Sequence, residues 1–519
     1  MAAAGEATAG GTGAAFAYDA VRYPSHPFAQ THPGRLATIA TLFGMEPAPP
    51  GRCRVLELGC GAGGNLLPMA YALPESEFVG IDLSGEAIAA GGARLAALGL
   101  TNVTLRHADI MAVDDGFGRF DYIVAHGVYS WVPQPVRDRV LAIACRQLAP
   151  QGVAYVSYNA YPGSYLRDLA RTMMLHHVAA IADASERVAQ GRALMRLLAE
   201  ASAPDKPYGI LLREQAERVA RTPDAVLFHD DLDPGARAFF VADFAADAAA
   251  AGLQYLGEAT FAHTSFGQHG ETAARLVERI PAEDFVAREQ YLDFLVGRGF
   301  RESLLCHAEV RLDRGVGPAA VRRCWIAGMA EVDRGVDPAA EGVATFRFGK
   351  GATLATDHRP SKMALLRLAE AWPAAIRFDE LAAHALDGLA ARGILFADRA
   401  EQIEALATTL FRAFCREEVE LHVAPPRLVA TVGERPCVSL LARREAEAGP
   451  LVTTLRHGVV ALEDETVRRF LGLVDGTRSA ADLAAALAVG ASAAATPAVT
   501  AEAVAANLRM LARLGLLVG

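Results

Sequence analysis

An α/β fold built around a parallel, doubly wound sheet is what the sequence predicts, on three observations. Between Arg54 and about Asn159, short apolar runs suited to buried strands alternate with helical stretches. The first run, Val55-Leu56-Glu57-Leu58, passes directly into a glycine turn, Gly59-Cys60-Gly61-Ala62-Gly63-Gly64-Asn65, and then into a helix pattern. The next two runs, Phe78-Val79-Gly80-Ile81 and Val103-Thr104-Leu105-Arg106, are each followed by an acid, Asp82 and Asp109.

Taken in order, residues 1–15 are Ala/Gly/Thr-rich and read as a disordered lead-in without the basic start or apolar stretch of a signal peptide. A polar, aromatic prelude follows, with Tyr18-Asp19, Tyr23-Pro24-Ser25 and Gln30-Thr31-His32-Pro33, before a helix to about Phe43. The helix after Asp82 contains Gly91-Gly92, which at about 1 kcal/mol per glycine predicts a short or bent element. Phe120 to Ala125 is the fourth strand and Val153 to Tyr158 the fifth. Residues 164–201 have apolar residues at helical spacing, and Ala203-Pro204-Asp205-Lys206-Pro207 is a connector. A second helical region runs to about Leu312, and Pro and Gly cluster between Gly315 and Gly342. The expected domains are therefore 16–205, carrying the sheet, a helical middle domain over 206–315, and two weakly similar units over 316–422 and 423–519. In the last unit Ser479 and Asp482 form a capping-box-like helix start, and helix, helix, short strand is the layout of a winged helix.

Composition bounds the function. The 519 residues are 52% hydrophobic and 21% charged, as in globular proteins, and the net charge of −10 gives no general attraction to nucleic acid or anionic membrane. No run of about 18 apolar residues predicts a membrane span. The terminal helix offers only Arg509 and Arg513 beside Glu502, which favours a protein-contacting or structural role over DNA binding. Seven scattered cysteines without a C-x-x-C pair argue against a disulfide framework or a metal site and point to a reducing cytoplasm.

The glycine turn carries the chemistry. Glycines at a strand's carboxyl end let backbone approach a ligand, and N–H groups at a helix start favour an anionic group. Glu57 would repel a pyrophosphate but suits a ligand bearing an ammonium and a sulfonium, so S-adenosylmethionine fits better than a dinucleotide. Asp82, 21 residues after Gly61, is placed for a ribose diol, while Asp109 and Ile110 suit an adenine amino group and ring. Each acid alone could equally be a helix cap; the three together form a constellation. The expected donor contacts are Glu57, Gly59, Cys60, Gly61, Asn65, Asp82, Leu83, Asp109, Ile110 and His126.

Reacting groups in such sheets stand beyond the strands' carboxyl ends. The fourth strand leads to His126, Tyr129 and Trp131, and the fifth to Tyr158, Asn159 and Tyr161. Aromatic faces stabilise cations and methyl groups. Tyr129 or Tyr158 would orient an acceptor amine, with His126 helping to move its proton; Trp131 and Tyr161 line the acceptor side or else pack a loop.

These motifs, together with His126-Gly127-Val128-Tyr129-Ser130-Trp131, Tyr158-Asn159, Pro162-Gly163, Tyr291-Leu292-Asp293-Phe294, Leu455-Arg456-His457 and Asp475-Gly476-Thr477-Arg478, resemble bacterial methyltransferases that carry a methyltransferase regulatory domain, the group including rickettsial-type protein lysine methyltransferases. The resemblance covers nearly the whole chain after residue 16. It implies a Rossmann-like seven-stranded sheet, helical middle regions used partly for dimerisation, C-terminal winged-helix-like α+β units and a large cavity for a protein segment. It also implies that the prelude from Tyr18 to His32 closes over the site, with Tyr18 and Tyr23 on the acceptor side. Ala62 departs from relatives with a polar residue there, which removes one donor contact. The implied reaction is methylation of protein lysine. A small-molecule or cell-envelope acceptor, and a donor-binding regulator without transfer activity, are the alternatives. The absence of an Asn/Asp-Pro-Pro-Tyr motif argues against methylation of nucleic-acid amino groups.

Overall fold

Five consecutive runs form parallel strands, β1 (Arg54–Leu58), β2 (Glu77–Asp82), β3 (Val103–His107), β4 (Phe120–Ala125) and β5 (Leu148–Ala160); β1, β2, β4 and β5 are largely buried on both faces, whereas β3 lies at the sheet's edge and buries only Val103. Three later strands, β6 (Ala238–Phe239), β7 (Leu253–Glu258) and β8 (Phe300–His307), complete the sheet. Its path of seven is β3-β2-β1-β4-β5-β8-β7, with the short β6 beside β5. Strand β8 runs antiparallel to both neighbours. The computed structural model describes residues 21, 23–264, 270–332, 335–488 and 500–518.

Strand alternation divides the side chains between two cores. Val55, Tyr122, Val124, Tyr155 and Leu304 face one layer, which includes the helix α1 (Pro33–Leu42), and Leu56, Ile123, Val156, Tyr158 and Leu305 face the other, with α2 (Gln134–Gln147) and α3 (Val241–Ala250). Helices Ser164–His177, Ala184–Ala201 and Pro207–Arg221 pack around their own cluster, including Met174, Met195 and Leu212.

Two expectations need correction. The boundary placed at 205 does not close the sheet domain, because β7 and β8 lie inside the expected helical domain 206–315 and pair with β5. The helices between are an excursion from the sheet, not a separate successor to it. The Gly91-Gly92 helix is not short: it runs unbroken over Gly85–Leu98, capped by Ser84. A Cβ at Gly91 would stand 2.6 Å from Leu105 and 2.9 Å from the Ala62 carbonyl oxygen, so glycine there allows the helix to pack against the glycine turn.

The first C-terminal unit shares the core of the sheet domain: Leu365, Leu381 and Leu406 belong to the cluster that holds Leu36 and Phe43. The last unit has its own core, around Leu471, Leu483, Leu508 and Leu516. There the expected helix, helix, strand order appears as Ala480–Ala488, Ala501–Arg513 and Leu517–Val518. The Ser479 hydroxyl accepts from the Asp482 N–H at 3.3 Å and the Asp482 carboxylate from the Ser479 N–H at 3.0 Å, the reciprocal pair of a capping box. Among the described residues no helix is long and apolar enough to cross a membrane, and no group of three His, Cys, Asp or Glu side chains is arranged to hold a metal ion.

Candidate methyl-donor and acceptor site

Glu57 stands at the centre of the site because β1 places it on the same sheet face as Val55, one residue short of the strand's end. It is 3% exposed. One carboxyl oxygen accepts from Asn65 Nδ2 at 2.8 Å, and Oε2 has no hydrogen-bond partner among the described residues. Burial pushes its pKa up to about 8, partly offset by the Asn65 bond. A buried oxygen left unsatisfied costs about 1 to 3 kcal/mol, so this position suits a ligand that brings a donor or a positive charge.

Asn65 begins the helix Leu66–Ala72 and ties three segments together. Its Oδ1 accepts from the Phe28 N–H at 2.9 Å, and its Nδ2 also reaches Thr31 Oγ1 at 3.0 Å. Ser25 Oγ accepts from the Gly64 N–H at 2.9 Å, and a Cβ at Gly64 would fall 2.5 Å from the Ser25 carbonyl carbon. Only glycine permits that approach. The described part of the prelude therefore lies directly on the glycine turn, as expected, while Tyr18 is outside the described residues.

Asp82 accepts from the Gly61 N–H at 2.7 Å and, through its other oxygen, from the Ser84 N–H at 2.8 Å. Each oxygen keeps a lone pair for a diol. Leu83 is 49% exposed next to it, an apolar surface at the strand end without cover. Asp109 is exposed and caps its own turn, accepting from the Met111 N–H at 2.9 Å, beside the half-buried Ile110. Cys60 contributes backbone: its thiol is buried, its Sγ 2.8 Å from where a Gly80 Cβ would sit. The orphaned Glu57 oxygen, the diol-ready Asp82 and the bare Leu83 fit a sulfonium nucleoside carrying an amino acid.

The acceptor side differs from expectation. Tyr129 and Tyr158 are 0% and 1% exposed, and pack with Phe244 in the opposite core. The Tyr158 hydroxyl meets Ser303 Oγ at 3.1 Å, and Tyr129 is directed to Asp247. Tyr158 faces the opposite core because odd positions of β5 face the site and Tyr158 is even; Tyr129 packs into that same core from the segment after β4.

The tyrosine on the correct face is Tyr155. Its hydroxyl lies 3.1 Å from His126 Nδ1 and bonds Gln30. Phe28 covers the His126 imidazole and Phe300 meets it edge-on at 6.4 Å. Burial lowers the His126 pKa to about 4, which makes it a poor proton acceptor and corrects its expected role as a base. Register sets Glu302 opposite Ser157 and Phe300 opposite Asn159, which is 8% exposed. The Glu302 carboxyl accepts from Thr260 Oγ1 at 3.0 Å and bonds Gln30, and burial raises its pKa to about 7. Alternation in β5 signals Tyr155; nothing local to β8 signals Glu302.

Trp131 is half-buried after β4. Tyr161 donates to Asp168 at 3.0 Å and stacks on Tyr165, and Tyr23 reaches Asp230 at 3.5 Å. Both tyrosines tie the site's rim to the helical layer.

Comparison with known proteins places each part. A family described as a methyltransferase domain matches residues 55–152, one described as a predicted methyltransferase regulatory domain matches 223–307, and one described as a PKMT C-terminal winged helix domain matches 434–507. The uncharacterized protein RP789 of Rickettsia prowazekii is 38% identical over 308 residues, 59% of this chain and 55% of that protein. RP028 of the same organism is 36% identical over 216 residues, 41% of this chain and 86% of that protein. The chain thus spans little more than half the length of RP789. PKMT2 of Rickettsia typhi superposes with a TM-score of 0.85 at 27% identity, over 96% of this chain and 100% of that one, and with 0.84 in its complex with AdoHcy. The chain belongs to the bacterial S-adenosylmethionine-dependent methyltransferases that carry a methyltransferase regulatory domain and a PKMT-type C-terminal winged helix.

Proposed function

We propose that the protein transfers methyl groups from S-adenosylmethionine to the ε-amine of lysine in a protein substrate. The observation that carries the donor half is the Glu57 Oε2 atom, buried beside the glycine turn and without a partner among the described residues. Asn65 and Glu57 would hold the donor's amino-acid end, Asp82 its ribose, and Leu83 and Ile110 its base. The donor, when bound, supplies an electrophilic methyl group on sulfur.

The acceptor must arrive neutral. A lysine of pKa near 10.4 gives up its proton at neutral pH at a cost of about 4 to 5 kcal/mol. Phe28, Phe300 and the His126 ring make surroundings that disfavour the ammonium and exclude water. Glu302, with a pKa of about 7, is the group on this face suited to take the proton on its carboxylate, and Tyr155 positions the amine through its hydroxyl. Alignment of the amine with the donor contributes the rest of the acceleration. The lysine acceptor rests on the resemblance to protein lysine methyltransferases and on the likeness to PKMT2 and the PKMT winged helix, and a homodimeric state on that resemblance alone.

Incubation with radiolabelled S-adenosylmethionine and cell extract tests this reading. Label recovered as methyl-lysine from a protein band is the expected result. Label confined to small molecules would replace the acceptor, and binding without transfer would replace the enzyme by a regulator.

A further inference from the structure

His457 is 392 residues beyond Asn65, yet its Nε2 lies 2.8 Å from Asn65 Oδ1. It sits in the turn between strands Leu451–Thr453 and Val459–Ala461 of the C-terminal domain, 4% exposed, with φ of +59°. A non-glycine residue in this region is uncommon. Here the left-handed conformation accompanies an imidazole that leaves the hairpin and enters the glycine turn, beside His32 at 5.4 Å between rings.

The hydrogen-bond sense is fixed by neighbours. The Phe28 backbone N–H can only donate, and it meets Oδ1 at 2.9 Å, so the amide oxygen of Asn65 faces His457 as well. His457 Nε2 therefore carries the proton and donates. The amide nitrogen is left to donate to Glu57 Oε1 at 2.8 Å. Burial holds the imidazole neutral, as a single-tautomer donor requires.

We propose that His457 is a positioning residue for the methyl donor: the C-terminal domain completes the donor pocket by fixing the Asn65 amide and, through it, the Glu57 carboxyl. This rests on the reading that Glu57 and Asn65 hold S-adenosylmethionine. Other contacts dock the same domain without touching the turn, including Arg427 to Glu75 at 3.1 Å and the Leu440 N–H to the Tyr71 hydroxyl at 3.0 Å.

The test is calorimetric titration of the full chain with S-adenosylmethionine, alongside thermal unfolding, for wild type, His457→Phe, His457→Gln and Arg427→Ala. Phe fills the space without donating; Gln restores an N–H. The expected result is a donor Kd about fivefold to tenfold weaker in His457→Phe, the loss of one hydrogen bond, within about twofold of wild type in His457→Gln, and unchanged in Arg427→Ala. Wild-type affinity in a folded His457→Phe, or equal weakening in the Phe and Gln variants, would overturn the proposal. If His457→Phe does not fold, His457→Asn, too short to reach, takes its place with the same expectations. Absence of donor binding by the wild type would overturn the donor reading itself, and this inference with it.

Discussion

The ring of Phe28 lies over the imidazole of His126, with centroids 3.8 Å apart and planes inclined at 36°. One residue of the prelude thus covers a residue at the carboxyl end of β4, while its own N–H is spent on Asn65 in the glycine turn. A single short segment joins the glycine turn to the end of β4.

Phe28→Ala tests that cover. Burial is the cause of the low His126 pKa, so admitting water raises it from about 4 toward 6.5, measurable by histidine NMR titration. Loss of a half-buried phenyl ring also destabilises the fold by ~2 kcal/mol, read by urea denaturation. A His126 pKa that stays near 4 would mean that Phe28 does not exclude water.

Glu57 gives a pH prediction with a definite sign. Its pKa is raised from 4.5 to about 8 in the folded chain, so between those values the native state holds a proton the unfolded state has lost. The stability this contributes is fully present below pH 4.5 and lost as pH rises through 8. Glu289 and Glu302, raised to about 7, slope the same way, so the Glu57 share is the difference between wild type and Glu57→Gln. Denaturation curves of donor-free protein from pH 5 to 8.5 should be flatter in the variant. A cationic donor favours the carboxylate, so its binding should release a proton near pH 7 in wild type and none in Glu57→Gln, seen by calorimetry in buffers of different ionisation enthalpy.

Arg301 is fully buried and reaches Glu258 at 2.7 Å, Asp293 at 2.8 Å and Glu289 at 3.0 Å. Glu258 in turn accepts from the Glu302 N–H at 2.8 Å, so this network lies behind the site. Removing Arg301 takes the ion pair from Glu258 and Glu289, while Asp293 keeps Arg298 at 2.6 Å. Arg301→Met should destabilise by about 3 to 5 kcal/mol in chemical denaturation. A loss below ~1 kcal/mol would show that the carboxyls simply take up protons.

The proposed donor half of the site is legible in the sequence because its determinants are local. Glu57, Asn65 and Asp82 lie within one strand-turn-helix-strand unit, and their spacing alone predicts which side chains converge. Cys60 lies in the same motif with its thiol buried, since position in a turn does not say which side chains point inward. The sheet was legible as far as β5; beyond it, an excursion of helices separates β5 from β7 and β8, and no periodicity announces that Phe300–His307 returns antiparallel beside β5. Glu302 and His457 were invisible for that reason: each reaches the site through long-range register or docking.

Tyr155 and Tyr158 lie on opposite sheet faces, and substitution of Tyr155 beside that of Tyr129, which shares the core of Tyr158, tests what the face decides. Tyr155 and Tyr158 both lie on β5, and proximity to the strand's end favoured Tyr158, whereas a period of two puts 155, 157 and 159 on the face that holds Glu57. Tyr155→Phe removes a hydroxyl 3.1 Å from His126 and bonded to Gln30, without changing ring packing. It should leave the donor Kd within about twofold and lower methyl transfer to extract protein by about tenfold or more, the scale of losing a positioned polar group at a reacting centre. Tyr129→Phe removes only a contact 3.5 Å from Asp247 in the opposite core, too long for a strong bond. Its transfer rate should stay within about twofold of wild type, with a stability change under ~1 kcal/mol. Equal losses in the two variants would show that sheet face does not decide which tyrosine serves the acceptor; a loss in Tyr129→Phe alone would return the catalytic role to the fourth strand.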